Sequence, residues 1–231
     1  MKKFYILKGI LVMPKLFIPS RKAVQYKSQQ KPGRTTRSKV TLAVLVVIAL
    51  ASFTLLVFPY LPRLKYLLTK PSINPTAYQQ AAKATKEGST TAPAVSKPGN
   101  RLILTSIGVD AQIIEGKNIY VIGKNQGVWH ETPRIDPSKS GNIVLAGHRF
   151  LYTAANGGYF YNLPELKLNE KIYIKWNNQV YEYLVYNTKT VLPTQVDIRN
   201  TDPEVPKKLT MYTCYPLGST AKRYVVEARQ L

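Results

Sequence analysis

The 231-residue sequence predicts an all-β domain, a sandwich or a barrel, carried behind a single membrane-spanning helix. Two observations predict this. From Arg101 onward the chain is a series of short β-rich runs separated by turn residues, the texture of sandwiches and barrels. Ahead of them, Val40 to Leu61 is uncharged, strongly apolar and long enough to cross a bilayer.

Residues 1–39 carry eleven Lys and Arg and no acid. Basic residues immediately before an apolar span keep that side in the cytoplasm, so 1–39 is expected to be a basic cytoplasmic segment and everything after the span extracytoplasmic. An interrupted apolar patch, Phe4 to Ile18, suits the inner membrane face; alternatively translation starts at Met13 and part of it is never made. Ala49-Leu50-Ala51 offers a signal-peptidase spacing. The long basic region and the continued apolar run instead favour an uncleaved signal anchor over 40–61. Residues 62–100, dominated by Pro, Ser, Thr, Ala, Lys and Gln, read as a flexible extracytoplasmic stalk that holds the next domain off the membrane, with Leu64 to Leu68 as an apolar exception near the interface.

Eight runs follow in 101–231: Leu102–Ile107, Ala111–Ile114, Ile119–Ile122, Asn142–Ala146, Lys171–Trp176, Val180–Val191, Leu209–Cys214 and Tyr224–Ala228. Asn177-Asn178 between the fifth and sixth predicts a tight hairpin, because Asn tolerates positive φ. A short helix is expected near Tyr159 to Leu166, and Leu192 to Lys208, with three prolines, reads as a long functional loop. The net charge of +21 invites a nucleic-acid reading, but the excess is +11 in 1–39 and only +5 in 99–231, and no stacked aromatic and basic motif occurs in the domain. Nucleic acid is therefore not an expected partner.

Cys214 is the only cysteine, so it cannot form an internal disulfide. It is a buried hydrophobe, an intermolecular link or a reactive thiol. A thiol nucleophile needs a cation or base and a proton donor, and His148, Arg149 and Arg223 stand at strand ends. Alternation puts Val144, Ala146 and His148 on one face, and Gly147 leaves room for another chain to approach. The turn Tyr215 to Lys222 brings Arg223 back beside Cys214. His130 reads as structural or as a groove wall. Metal-ligand spacings are absent, no cofactor is expected, and Asp197, Asp202 and Glu204 read as solvated loop carboxylates.

Gly141-Asn-Ile-Val-Leu-Ala-Gly-His148-Arg, Leu209-Thr-Met-Tyr-Thr-Cys214 and Arg223-Tyr-Val-Val together resemble the His, Thr-Leu-x-Thr-Cys and Arg signature of sortases, the membrane-anchored cysteine transpeptidases. The resemblance covers 101–231 and looks nearest to the D and E groups. Met211 stands where the family more often has Leu, and Trp129 where an upstream motif usually has Gly. The resemblance implies an eight-stranded β-barrel with one or two short helices. It further implies that Cys214 attacks the carbonyl after Thr in a Leu-Pro-x-Thr-Gly-like sorting signal to give a thioacyl enzyme. His148 would exchange protons with the leaving and incoming amines, and Arg223 would stabilise the oxyanion. Ala146, Gly147 and Thr213 would shape the substrate site. Partners would be secreted proteins with C-terminal sorting signals and an amine on a cell-wall precursor or pilin. An L,D-transpeptidase would need a Ser-His-Gly-Cys-like run, which Thr213-Cys214-Tyr215 does not supply. A membrane-tethered β-barrel binding module with a structural cysteine is the alternative from another class.

Overall fold

A computed structural model describes residues 36–88, 97–123, 126–151 and 158–231. The expected cytoplasmic segment 1–35 and the Ser/Thr/Pro tract 89–96 lie outside the described residues. Helix α1 (Thr36–Val57) is followed by a 3-10 turn at Phe58–Tyr60 and helix α2 (Leu61–Thr69). This stretch is the one helix among the described residues long and apolar enough to cross a membrane.

Eight strands close into a barrel: β1 (Arg101–Leu104), β2 (Val109–Glu115), β3 (Val128–His130), β4 (Gly141–Ala146), β5 (Lys171–Trp176), β6 (Gln179–Val191), β7 (Lys207–Tyr215) and β8 (Lys222–Gln230). Their order around the barrel is β1-β2-β3-β4-β7-β8-β6-β5, with β5 returning to β1. The β2/β3 and β4/β7 pairs are parallel and the others antiparallel. Alternation sorts the side chains: Ile143, Leu145, Leu209, Met211, Val226 and Ala228 fill the main core, while Val144, Ala146, Tyr212 and Val225 belong to a second cluster on the opposite face of the sheet. Met211 is fully buried in the main core, so a second long apolar side chain serves where the family favours Leu.

The number of strands agrees with expectation although one strand differs. Ile119–Ile122 is a 3-10 helix, because the Asn118 side chain accepts the Tyr120 amide and caps it; Ile122 is buried in the second cluster. The missing strand is β3, three residues that pair with both β2 and β4. The Asn177-Asn178 hairpin forms with positive φ at both residues and Trp176 opposite Gln179. The short helix expected at Tyr159–Leu166 reduces to a 3-10 turn at Leu163–Glu165.

Where a flexible stalk was expected over 62–100, the described residues include two helices, α2 and a second one that packs on the barrel. Helix α3 (Thr76–Lys86) buries Tyr78, Ala81 and Ala82 against Ile103, Tyr173 and Val180 of β1, β5 and β6. Tyr78 stacks on Tyr173 with ring centroids 5.7 Å apart, and the Val180 amide donates to Thr85 Oγ1 at 3.0 Å. The i, i+3, i+4, i+7 spacing of Tyr78, Ala81, Ala82 and Thr85 makes one narrow helix face, and the small alanines let that face approach the sheet closely.

Candidate active site

Cys214 and Arg223 are direct partners in the antiparallel β7/β8 register. They are two residues beyond Tyr212 and before Val225, members of the second cluster, so both fall on the outer face of the barrel wall. Cys214 is partly exposed and free. Arg223 Nη1 donates to the carbonyls of Thr220 at 2.9 Å and Lys222 at 3.0 Å, which tethers the cation to the turn that delivers it.

His148 arrives from β4. That strand runs parallel to β7 with Ala146 opposite Tyr212. The pairing continues past the strand end: the Gly147 amide donates to the Tyr212 carbonyl at 3.3 Å and Thr213 Oγ1 donates to the Gly147 carbonyl at 2.8 Å. Carried on in the same register, the chain would bring His148 level with Cys214. A Cβ on Gly147 would lie 2.6 Å from a Phe160 ring atom. The space at this glycine is thus taken by the protein's own Phe160, where the sequence suggested a substrate or another chain. Burial pushes the half-buried His148 imidazole below its ordinary value.

The thiol opens on a groove of about 170 Å³ whose wall includes Ile119, Trp129, Leu192, Pro193 and Ile198, with Gly147, Thr213, Arg199 and Arg223 supplying polar groups. Ala146 is fully buried in the cluster beneath and does not line the groove. The far wall is the loop 192–206, containing a 3-10 turn at Val196–Arg199. Asp202 accepts the Glu204 amide in a local turn within this loop.

Two buried clamps hold the loop. Asn142 on β4 donates to the carbonyls of Ile198 and Asn200 while accepting the Thr210 hydroxyl. Glu131 accepts Arg199 Nε at 2.7 Å on one oxygen and the Tyr212 hydroxyl at 2.8 Å on the other. Burial and the facing Glu131 carboxylate both push the Tyr212 phenol up; for Arg199 burial opposes the charge and Glu131 more than offsets it, so its pKa rises. Sequence reading did not single out Glu131, Asn142, Arg199, Trp129 or Tyr212 for the site. Only Tyr212 carried a usable signal, the two-residue offset from Cys214 on one strand.

His148, Arg149 and His130 are not among the residues that line the groove, which Gly147 borders beside His148. Arg149 is buried with its guanidinium carbon 4.9 Å from the ring centroid of Tyr215, the residue after Cys214 on β7, a cation–π contact. His130 is fully buried, edge-on to Trp176 at 5.5 Å, and has a structural role.

Fold and groove define a β-barrel, with a helix long and apolar enough to span a membrane ahead of it, and a partly exposed thiol beside a cation and an imidazole-bearing loop. The Sortase domain family model matches residues 102–231, more than half of the chain, and the chain belongs to the sortase family of cysteine transpeptidases. It is 33% identical over 86 residues to Sortase A of Bacillus anthracis, covering 37% of this chain and 39% of that protein. It is 25% identical over 142 residues to Sortase D of Bacillus subtilis, covering 60% of this chain and 67% of that protein. The fold matches Streptococcus agalactiae sortase C1, solved in complex with MTSET, with a TM-score of 0.52 at 21% identity over 69% of this chain and 92% of that one. A lid mutant of Corynebacterium diphtheriae sortase A matches with a TM-score of 0.51 at 21% identity, covering 68% and 95%.

Proposed function

We propose that this chain is an extracytoplasmic transpeptidase that cleaves a Leu-Pro-x-Thr-Gly-like sorting signal and joins the released carboxyl end to an amine on a cell-wall precursor or pilin. The observation that carries the reading is the pairing of Cys214 with Arg223 across β7 and β8 at an apolar-walled groove. A neutral imidazole at rest, favoured by the burial of His148, takes the thiol proton as Sγ attacks the carbonyl carbon after Thr. The tethered Arg223 cation stabilises the developing oxyanion. Collapse breaks the peptide bond, His148 gives the proton to the departing amine, and a thioester on Cys214 remains. An incoming amine loses a proton to His148, attacks the thioester and expels the sulfur, which recovers that proton. The short apolar wall of Ile119, Leu192, Pro193 and Ile198 suits the Leu-Pro end of such a signal.

Cys214→Ala is expected to abolish cleavage of a sorting peptide, and Arg223→Ala to lower kcat by about a hundredfold or more, the scale of losing one oxyanion donor, with circular dichroism unchanged. Substantial turnover by Cys214→Ala overturns the reading. A binding module with a structural cysteine would bury its thiol, whereas Cys214 is partly exposed at the groove. A thiol reagent should therefore label the native protein fast, and protection would favour the module. The acid-free basic tract before α1 supports a cytoplasmic N-terminus. Protease added to intact cells should then remove the barrel, and a protected barrel means the opposite orientation.

A further inference from the structure

Helix α2 has two apolar faces, and the barrel uses only one. Pro62 and Tyr66 turn inward, with Tyr66 packed on the main core; Arg63 pairs with Glu165 at 3.3 Å, and the Tyr161 hydroxyl donates to the Pro59 carbonyl at 2.8 Å. On the other side Tyr60, Leu61, Leu64, Leu67 and Leu68 form a second stripe, with Leu64 53% and Leu68 77% exposed. Five large apolar side chains on a helix of nine residues and its cap are too many to leave in water without a partner.

We propose that this stripe is seated in the headgroup and upper acyl region of the bilayer that α1 spans, so that α2 is a two-sided wedge between barrel and membrane. Length identifies the occupant. The 18 uncharged residues Val40 to Val57 of α1, at about 1.5 Å each, cover most of the roughly 30 Å hydrocarbon core. Leu61 to Leu68 thus begin where the interface begins, whether α2 continues outward or lies along the surface. Charge agrees: Lys65 and Lys70 accompany the stripe, and no acid occurs until Glu87. Beyond α2, Pro71 abuts Gly108 and the Ile73 amide donates to the Thr105 carbonyl, so the segment between helix and barrel is itself packed.

The wedge reaches the site. Phe150 is in ring contact with Tyr161, Phe160 packs against Gly147, and the Phe160 amide donates to the His148 carbonyl. The segment that receives α2 is therefore the one that supports the His148 loop. On the transpeptidase reading, this holds the groove near the bilayer surface. That consequence rests on the proposed function; the seating of α2 does not.

The test uses the full chain in lipid nanodiscs, with Cys214→Ala as background and a single cysteine at Leu64, Leu68 or, as a water-facing control, Glu204, each carrying an environment-sensitive fluorophore. Labels at 64 and 68 should be quenched by lipids spin-labelled near the headgroup and should resist iodide severalfold better than the label at 204. Iodide quenching equal to the control means a water-exposed stripe and overturns the proposal. Protection from both quenchers means a protein partner or second copy covers it, which also overturns it. Without any label, Leu64→Glu with Leu68→Glu should speed hydrogen exchange of amides 61–70 in nanodiscs severalfold; unchanged exchange sinks the idea. Because the background lacks the thiol, the outcome does not depend on activity.

Discussion

His148 sits one residue past the glycine on which Phe160 packs, and its half-burial has a kinetic signature. The neutral form is favoured, so the acid limb of kcat/KM for a sorting peptide should fall below the ordinary imidazole value near 6.5. The sign follows from protonation. On the proposed mechanism acid first removes the free base that accepts the thiol proton, and burial delays that loss to lower pH. A limb at or above 6.5 would mean that the imidazolium is stabilised, the reverse of the environment described. Cys214, His148 and Arg223 were legible because each is rare or stands in a run whose alternation and turn length set its face. Gly147 was legible as a site of close approach, but the identity of the approaching group was not. Phe160 comes from a segment with no sequence relation to β4, and contacts of that kind carry no local pattern.

The loop 192–206 shows the same division at the level of elements. Its position before the thiol-bearing strand and its length were readable, whereas its anchors are single side chains on strands far away in sequence. Glu131 is the more telling anchor, since it ties Arg199 of the loop to Tyr212 of β7, both of which line the groove, without lining it itself. Glu131→Ala leaves a buried phenol and a guanidinium without their shared acceptor, a cost of about 1–3 kcal/mol for each unsatisfied group. The loop should loosen, raising KM for the peptide about tenfold or more while kcat changes little, in line with a loss of uniform binding. Glu131→Gln keeps an acceptor oxygen and should recover much of that affinity. Equal losses in kcat and KM terms for both variants would show that Glu131 acts on the chemistry instead. Helix α3 was read as stalk for a related reason: alanines and one tyrosine look too weakly apolar to pack until Tyr173, Ile103 and Val180 present a matching surface. The strand at 128–130 was missed because three residues are too few for alternation to declare itself, and the 3-10 turn at 119–122 mimicked a strand in composition alone.

Across the whole molecule, the acid response should come in two steps because the buried ionisable groups fall into two sets. Glu227, inside the wall of β6, β7 and β8, would be raised by burial, but hydrogen bonds from Lys208, Asn187 and Lys189 hold it below the ordinary carboxylate value. Its contribution is lost only as pH falls through the carboxylate range. His130 acts earlier. It faces Trp176 and lies 3.5 Å from the largely exposed Glu115 carboxylate, with Arg134 nearby; neither ring nitrogen has a well-aligned hydrogen bond among the described residues. Burial lowers its pKa more than Glu115 raises it, so the folded protein resists the proton that the unfolded chain accepts. Stability is then full above the ordinary imidazole value near 6.5, falls as pH drops through it, and levels off below the folded pKa. Half-buried His148 contributes with the same sign. Denaturant unfolding of the full chain should therefore give a lower free energy at pH 5.5 than at pH 7.5, values chosen about one unit either side of the ordinary imidazole pKa. His130→Leu, which cannot take up a proton, should flatten most of that slope even if it lowers stability at both values. A flat wild-type profile, or an undiminished slope in His130→Leu, would mean that folding leaves the His130 pKa unchanged, and a profile rising toward pH 5.5 would mean that Glu115, rather than desolvation, governs it.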